Sequence, residues 1–168
     1  MSRWPWVMVL FALAACAPAP SHADPRSDRD PVQNGRQWIF SNDGAMGPRL
    51  TLVESPAHAD HNVVLLLSCA PLAFHVDART YQPAQAFPQP PLVLELGNLS
   101  RTQVPTATAL SPPDYSSLKV NYEDAGELVR AIGTSKDMSL VFLGNSQKFD
   151  LPSQALRNRF VEECLAGP

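Results

Sequence analysis

Apolar and polar residues alternate along most of the chain after residue 36, which is the period-two pattern of β-strands. The alternation is clearest over residues 49–54, 92–96 and 117–122, and clusters of Gly, Asn, Asp and Pro separate such segments. Residues 62–69 are apolar almost throughout, which is typical of a central strand. The pattern predicts a mainly β domain, a β-sandwich or open barrel of about seven or eight short strands.

Helical spacing occurs in two places. We expect a short internal helix over residues 124–132 and a C-terminal helix over residues 153–166, with a serine at the start of the second as its N-cap. Leu156, Phe160 and Cys164 follow one another at intervals of four residues and therefore share one face of the second helix.

The N-terminal stretch has the pattern of an export signal. One arginine precedes an apolar run, Trp4–Ala15, that is too short to span a bilayer as a helix. The run ends in Leu13-Ala14-Ala15-Cys16, which resembles the lipobox of bacterial lipoproteins. This resemblance implies a signal peptide over residues 1–15, cleavage before Cys16, and acylation of that cysteine. Ala17 follows the cysteine, which by the same resemblance favours the outer membrane, on its periplasmic side.

A second cleavage site competes with the first. Ser21-His22-Ala23 fits the ordinary signal peptidase, and its use would release a soluble periplasmic or secreted protein. Residues 16–35 are rich in Pro and Ala and contain almost nothing to bury, so we predict an extended tether. The remaining residues, 36–168, are expected to form one domain.

Cysteine content agrees with export. With Cys16 lipidated or removed, Cys69 and Cys164 remain, and such a pair in an oxidising compartment predicts a disulfide. The alternative is a reactive or metal-binding thiol pair, although the sequence has no Cys-x-x-Cys motif.

Charge and motifs exclude several function classes. The formal net charge is −3 with no basic patch, which argues against nucleic-acid binding. The sequence has no G-x-S-x-G context and no glycine-rich phosphate loop, and His75 is expected on the strand face opposite Phe74 and Val76, as a surface residue. We therefore expect a protein that is not an enzyme and needs no cofactor.

Two segments carry candidate binding residues. His58, Asp60 and His61 lie close enough together to be weak candidates for a metal site, although the same residues also suit a solvated loop. Tyr81 and Phe87 lie in a proline-rich stretch, Tyr81–Pro91, that is either a recognition loop for a protein partner or a simple crossover between sheets.

The domain also has a distant resemblance to small periplasmic accessory proteins of type VI secretion. The matching positions are Trp38, the Leu65-x-Leu67-x-Cys69 strand, Phe149-Asp150-Leu151, and a final helix ending in Cys164. The resemblance implies a β-rich domain with one disulfide from its N-terminal to its C-terminal part, and it covers only the ends of the domain. We carry over no functional residue from it.

These observations together predict an envelope lipoprotein whose β-domain binds a periplasmic protein partner, as an inhibitor, immunity protein, or secretion or assembly accessory. The first alternative is a periplasmic protein that binds a small ligand or a metal. The second is a hydrolase, which would need a pocket that joins His75 or the His58 and His61 segment to carboxylates from other strands.

Overall fold

The computed structural model describes residues 27–43, 47–54, 63–70, 73–80, 89–109 and 116–166. These residues form eleven strands and two α-helices. In chain order they are β1 (Ser27–Arg29), β2 (Arg36–Asn42), β3 (Pro48–Glu54), β4 (Val63–Ala70), β5 (Ala73–Thr80), β6 (Leu92–Leu96), β7 (Leu99–Gln103), β8 (Thr106–Ala109), β9 (Ser116–Tyr122), α1 (Ala125–Thr134), β10 (Met138–Phe142), β11 (Asn145–Phe149) and α2 (Gln154–Ala166).

The strands form two antiparallel sheets around one core. The larger sheet has the order β1-β2-β3-β4-β5-β9-β8, and the smaller has the order β11-β10-β6-β7. Buried side chains alternate along the strands of both sheets and belong to one hydrophobic cluster, which α1 and α2 complete. The predicted mainly β, sandwich-like fold with an internal and a C-terminal helix is therefore confirmed.

One threonine-rich segment contributes to both sheets. Residues 102–110 have the sequence of a single edge strand, but the chain changes sheets within this segment, at Pro105. Proline has no N–H to donate to a sheet, so it marks a point where one ladder ends and another begins. β7 is therefore an edge of the smaller sheet and β8 an edge of the larger one, and such divisions raise the strand number above the expected seven or eight.

The folded domain begins earlier than Arg36. β1, within the predicted tether, pairs with β2, and Ser27 lies opposite Ser41. Asp30 follows β1, and its carboxylate accepts a hydrogen bond from the backbone N–H of Ser153 at 2.7 Å. The tether prediction over residues 16–35 is thus wrong from Ser27 onward, because backbone pairing and polar contacts, not apolar burial, hold this segment.

Contacts from α2 secure the same strand. Arg159 forms ion pairs with Asp28 of β1 and with Glu163 one helical turn later, and its guanidinium lies 4.5 Å from the centre of the Phe40 ring. The carboxylate of Glu163, followed by that of Asp28, raises the pKa of Arg159 above its ordinary value. The N-terminal strand and the C-terminal helix are therefore joined by charge and by ring contact.

The predicted face of α2 packs as expected. Leu156 and Phe160 are buried, and the Phe160 ring meets the Phe74 ring edge-on with a centroid distance of 6.5 Å. Cys164 forms the predicted disulfide with Cys69 of β4, with a Cα–Cα distance of 5.9 Å. No helix in the described part of the chain is both long enough and apolar enough to cross a membrane.

Tyr122, at the end of β9, provides a test of the core by pH. Its side chain is 4% exposed, its hydroxyl has no hydrogen-bond partner among the described residues, and burial raises its pKa from 10.0 to about 12. The folded state keeps the phenolic proton to a higher pH than the unfolded state, so stability present below pH 10 is lost as the pH rises toward 12. We expect a loss of about 3 kcal/mol over this interval.

Denaturant unfolding of wild type and Tyr122→Phe between pH 8 and pH 12 measures this effect. The phenylalanine variant lacks the titrating group, so its stability should fall less over this interval, and at neutral pH it should be at least as stable as wild type. Equal pH dependence in the two proteins would contradict the assignment.

Candidate functional site

The strand directions gather several features at one end of the larger sheet. Arg36 at the start of β2 pairs with Glu54 at the end of β3, and Thr80 at the end of β5 pairs with Ser116 at the start of β9. Val63 at the start of β4 lies at the same end. We call this end of the sheet, defined by these five residues, the distal end.

The N-terminal chain joins the domain at the opposite end. β1 runs antiparallel to β2, so Ser27 lies beside Ser41, near the last residue of β2, and the chain then runs toward the distal end. The disulfide lies in the same half of the domain, because Cys69 is near the end of β4. The distal end is therefore the end farthest from the point where the preceding residues attach.

Both segments with sequence-predicted binding residues are connected to the distal end. The segment with His58, Asp60 and His61 joins Glu54 to Val63, and the segment with Tyr81 and Phe87 follows Thr80. All five candidate residues lie outside the described residues, as does Cys16. Among the residues that the structure describes, no group of three or more His, Cys, Asp and Glu side chains could hold a metal ion.

The edge strand of the smaller sheet crosses the distal end. β11 contributes Asn145, Ser146 and Gln147 to the wall of one cavity. Ala78 and Leu118 of the larger sheet line the same cavity. Farther along, β11 and the residues after it line a second cavity together with β2 and β3. β11 thus spans the distal end from β9 and β5 to β3 and β2.

The larger of the two cavities has a volume of about 240 Å³. Trp38 and Leu52 supply buried apolar surface, and the indole N–H of Trp38 donates a hydrogen bond to the Asp150 carbonyl at 2.7 Å. Arg36 and Glu54 form an ion pair at 2.7 Å on its rim. Lys148 also lines the cavity and forms no ion pair within the described residues. We call this the large cavity.

The second cavity is small and has both apolar and polar walls. Its volume is about 80 Å³, and Leu92, Leu140 and Phe142 of the smaller sheet face Ala78 and Leu118 of the larger one. Arg79 of β5 and the residues of β11 form its polar wall. We call it the small cavity, and its size and lining suit one aliphatic side chain.

The turn between β10 and β11 has an unusual residue. Leu143 and Gly144 have φ angles of +53° and +75°, and the Leu143 side chain is 36% exposed. The same chain makes a matching turn with Asn34 and Gly35, at φ angles of +51° and +75°. Asn-Gly is the preferred pair for two positive φ angles, whereas leucine is strained there.

Sequence reasoning missed Leu143. From the sequence alone, the pair Gly144-Asn145 predicts the turn and places Leu143 in the preceding strand. The pairing of Phe142 with Asn145 shows that the two turn residues are Leu143 and Gly144. An apolar residue directly before a glycine at the end of an alternating strand is the available signal, but it does not distinguish a turn from a strand end.

The predicted surface position of His75 is confirmed, and its neighbours form a polar row. Phe74 and Val76 are buried, whereas His75 is partly exposed, lies between Ser68 of β4 and Asn121 of β9, and shares a hydrogen bond from Nδ1 with the Asn121 side-chain oxygen. No hydrogen bond joins Ser68 to His75 in the described part of the chain, and His75 lines neither cavity of the distal end. The row does not form the nucleophile–base pair that a serine hydrolase requires.

A scan against protein-family models and searches of curated proteins and of solved structures found no match to the chain.

Proposed function

We propose that the protein is an envelope lipoprotein, anchored through Cys16 to the outer membrane on its periplasmic side, and that its β-domain binds a protein partner at the distal end. Its role would be that of an inhibitor, an immunity protein, or an accessory subunit of a secretion or assembly system. The observation that carries this proposal is the exposed leucine at the tip of the β10–β11 turn.

Leu143 is unfavourable for the isolated domain in two ways. A left-handed backbone costs an L-residue other than Gly, Asn or Asp about 1–2 kcal/mol, and part of the leucine side chain stays in contact with water. The Asn34-Gly35 turn of the same chain has nearly the same two positive φ angles, with residues that adopt them without strain. Strained residues concentrate at binding sites, where a partner can cover the apolar surface, so a partner at the distal end accounts for the leucine.

The direction of β1 supports the same surface. If lipid holds Cys16, the residues before Ser27 lead from the membrane to the N-terminal end of the domain. The eleven residue steps from Cys16 to Ser27 can extend about 40 Å at most. The distal end then points away from the anchoring membrane, where a periplasmic partner can reach it.

Replacing Leu143 by Asn tests the proposal. We expect the free energy of unfolding to rise by about 1 kcal/mol, because asparagine tolerates positive φ. Partner binding should weaken about tenfold if leucine is a central contact. Photo-cross-linking from Asn145 in intact envelopes, followed by mass spectrometry, gives the yield of cross-linked partner for each variant.

The control is Leu165→Asn, because Leu165 is also exposed (45%) but lies in the last turn of α2, in the half of the domain away from the distal end. It should leave the cross-link unchanged. A cross-linked protein whose yield is equal in wild type and Leu143→Asn would contradict the proposed surface, and so would the absence of any stoichiometric partner.

A small-ligand role is the second candidate, and the large cavity is the observation that favours it. Its volume of about 240 Å³ accommodates a small polar molecule, and its rim offers both a cation and carboxylates. Binding in this cavity would be insensitive to Leu143→Asn, so this variant distinguishes the two functions.

A further inference from the structure

β11 is an open edge of the smaller sheet. It pairs only with β10 among the described residues, and Asn145, Ser146 and Lys148 are exposed. Edge strands present unpaired backbone groups that can pair with another chain. This edge therefore offers a site for strand addition beside the strained turn.

The pairing register identifies the backbone groups that face outward. Phe142 and Asn145 close a two-residue turn, and the closing pair of such a hairpin is joined by both backbone hydrogen bonds. Because bonded and non-bonded pairs alternate along an antiparallel ladder, Gln147 also bonds to β10. The N–H and C=O groups of Ser146 and Lys148 point away from β10 and pair with no other strand among the described residues.

The two cavities lie where an added strand would need pockets. The small cavity adjoins Asn145 to Gln147, and the large cavity adjoins Lys148 to Leu151. Counted along the chain, the centres of the two lining segments are about four residues apart, or at most about 13 Å at the rise of a strand. The centre of the large cavity lies just beyond the end of β11. Side chains four positions apart on an extended segment lie on the same face, so one segment can fill both cavities.

The charge at this edge favours a foreign strand over a second copy of β11. Lys148 lines the large cavity together with Arg36 and with the carboxylates of Asp30, Glu54 and Asp150, yet it forms no ion pair within the described residues. Its neighbour in the ladder, Ser139 of β10, is neutral. An antiparallel copy of β11 centred on Gln147 would place Ser146 opposite Lys148 and supply no carboxylate. A segment with an acidic residue at this position would complement the charge.

We propose that the distal end binds its partner by β-strand addition. An extended segment of the partner pairs with the edge of β11, places an aliphatic side chain in the small cavity and a second side chain, four positions away, in the large cavity, and sets a carboxylate beside Lys148. This mode rests on the proposed function, since it requires the partner to be a protein. Backbone hydrogen bonds supply affinity, and the two cavities supply specificity.

The test uses a displayed library of random nonapeptides selected against the mature protein with its disulfide formed. Selected peptides should have two larger side chains four positions apart and an acidic residue between or beside them. Ser146→Pro removes one outward N–H without removing a bond to β10, and should weaken peptide binding about tenfold or more. Ser146→Ala keeps that N–H and should bind as wild type does.

Hydrogen exchange of the wild-type complex gives a second measurement that does not depend on the proline variant folding. Bound peptide should slow exchange at the Ser146 and Lys148 amides, while Gln147 is already slow in the free protein. Peptides that bind without slowing these two amides would overturn the proposal, as would a library that yields no binder. Slow exchange at both amides in concentrated protein without peptide would assign the edge to a second copy, which also overturns it.

The outcome for the proposed function is separate. A partner whose cross-link from Asn145 is lost in Leu143→Asn, but whose binding leaves Ser146 and Lys148 exchanging freely, would keep the distal end as the binding surface and overturn strand addition alone. Loss of the partner altogether, with library peptides still pairing with β11, would overturn the proposed function and leave the edge as a peptide site.

Discussion

Replacing Cys69 and Cys164 together by alanine should lower the free energy of unfolding by about 4–5 kcal/mol. The disulfide joins β4 to the end of α2 across a sequence separation of 95 residues, which includes most of the folded domain. In the chain-entropy model, a cross-link across so long a loop removes much of the freedom of the unfolded chain. For a domain whose total stability is about 5–15 kcal/mol, such a loss is a large fraction.

Urea unfolding at equal protein concentration, followed by tryptophan fluorescence, measures the difference. Wild type under reducing conditions is the matched control and should reach the same midpoint as the double alanine variant, because both lack the cross-link but keep the chain. A double variant within about 1 kcal/mol of oxidised wild type would contradict this role, and would show that α2 packing alone closes the domain.

Replacing Cys16 by Ser should move the protein from the membrane fraction to the soluble periplasmic fraction. A diacylglyceryl group with an additional acyl chain anchors a protein firmly, whereas no described helix can span the membrane. Fractionation of the envelope and immunoblotting measure the distribution. Mass spectrometry of the N-terminal peptide shows whether wild type begins at an acylated Cys16 or at Asp24.

Ala23→Asp is the matched control, because it disrupts only the competing Ser21-His22-Ala23 site. It should leave the wild-type distribution and the acylated N-terminus unchanged. Wild type that begins at Asp24 and is soluble, or a Cys16→Ser variant that stays in the membrane fraction, would contradict the lipobox assignment.

Much of the fold could be predicted because burial in this domain follows sequence period. Leu92, Leu94 and Leu96 alternate with partly exposed residues in β6 as the pattern requires. The apolar run at residues 62–69 becomes β4, with strands on both sides in the larger sheet. Cys164 follows Leu156 and Phe160 on one face of α2, which is why the disulfide partner could also be anticipated.

The failures occur where apolar periodicity carries no information. β1 consists of Ser, Asp and Arg, so its pairing with β2 depends on backbone hydrogen bonds and on the contacts of Asp28 and Asp30 with α2. The two residues in each of those contacts, Asp28 with Arg159 and Asp30 with Ser153, are far apart in the sequence. Local patterns could not show this.

Only part of the candidate site could be predicted from the sequence, for a related reason. Sequence reasoning selected segments of chain, and the structure connects two of them to one end of the larger sheet. The cavities beside β11, however, arise from the crossing of two sheets whose residues are far apart in sequence. Leu143 is strained only because the turn consists of Leu143 and Gly144. If the turn were one residue later in the sequence, Leu143 would belong to the strand.

The attachment of β1 has a mechanical consequence if the proposed lipid anchor and the proposed partner hold the protein at both ends. A force that draws the N-terminal chain toward the membrane, while a partner holds the distal end, acts along the β1 and β2 axes and perpendicular to the hydrogen bonds between them. These bonds are then loaded in shear and must break together, whereas a peeling force would break them in turn. The Asp28–Arg159 ion pair and the Asp30–Ser153 hydrogen bond share that load, so the shortest of the described strands is placed where it resists traction best.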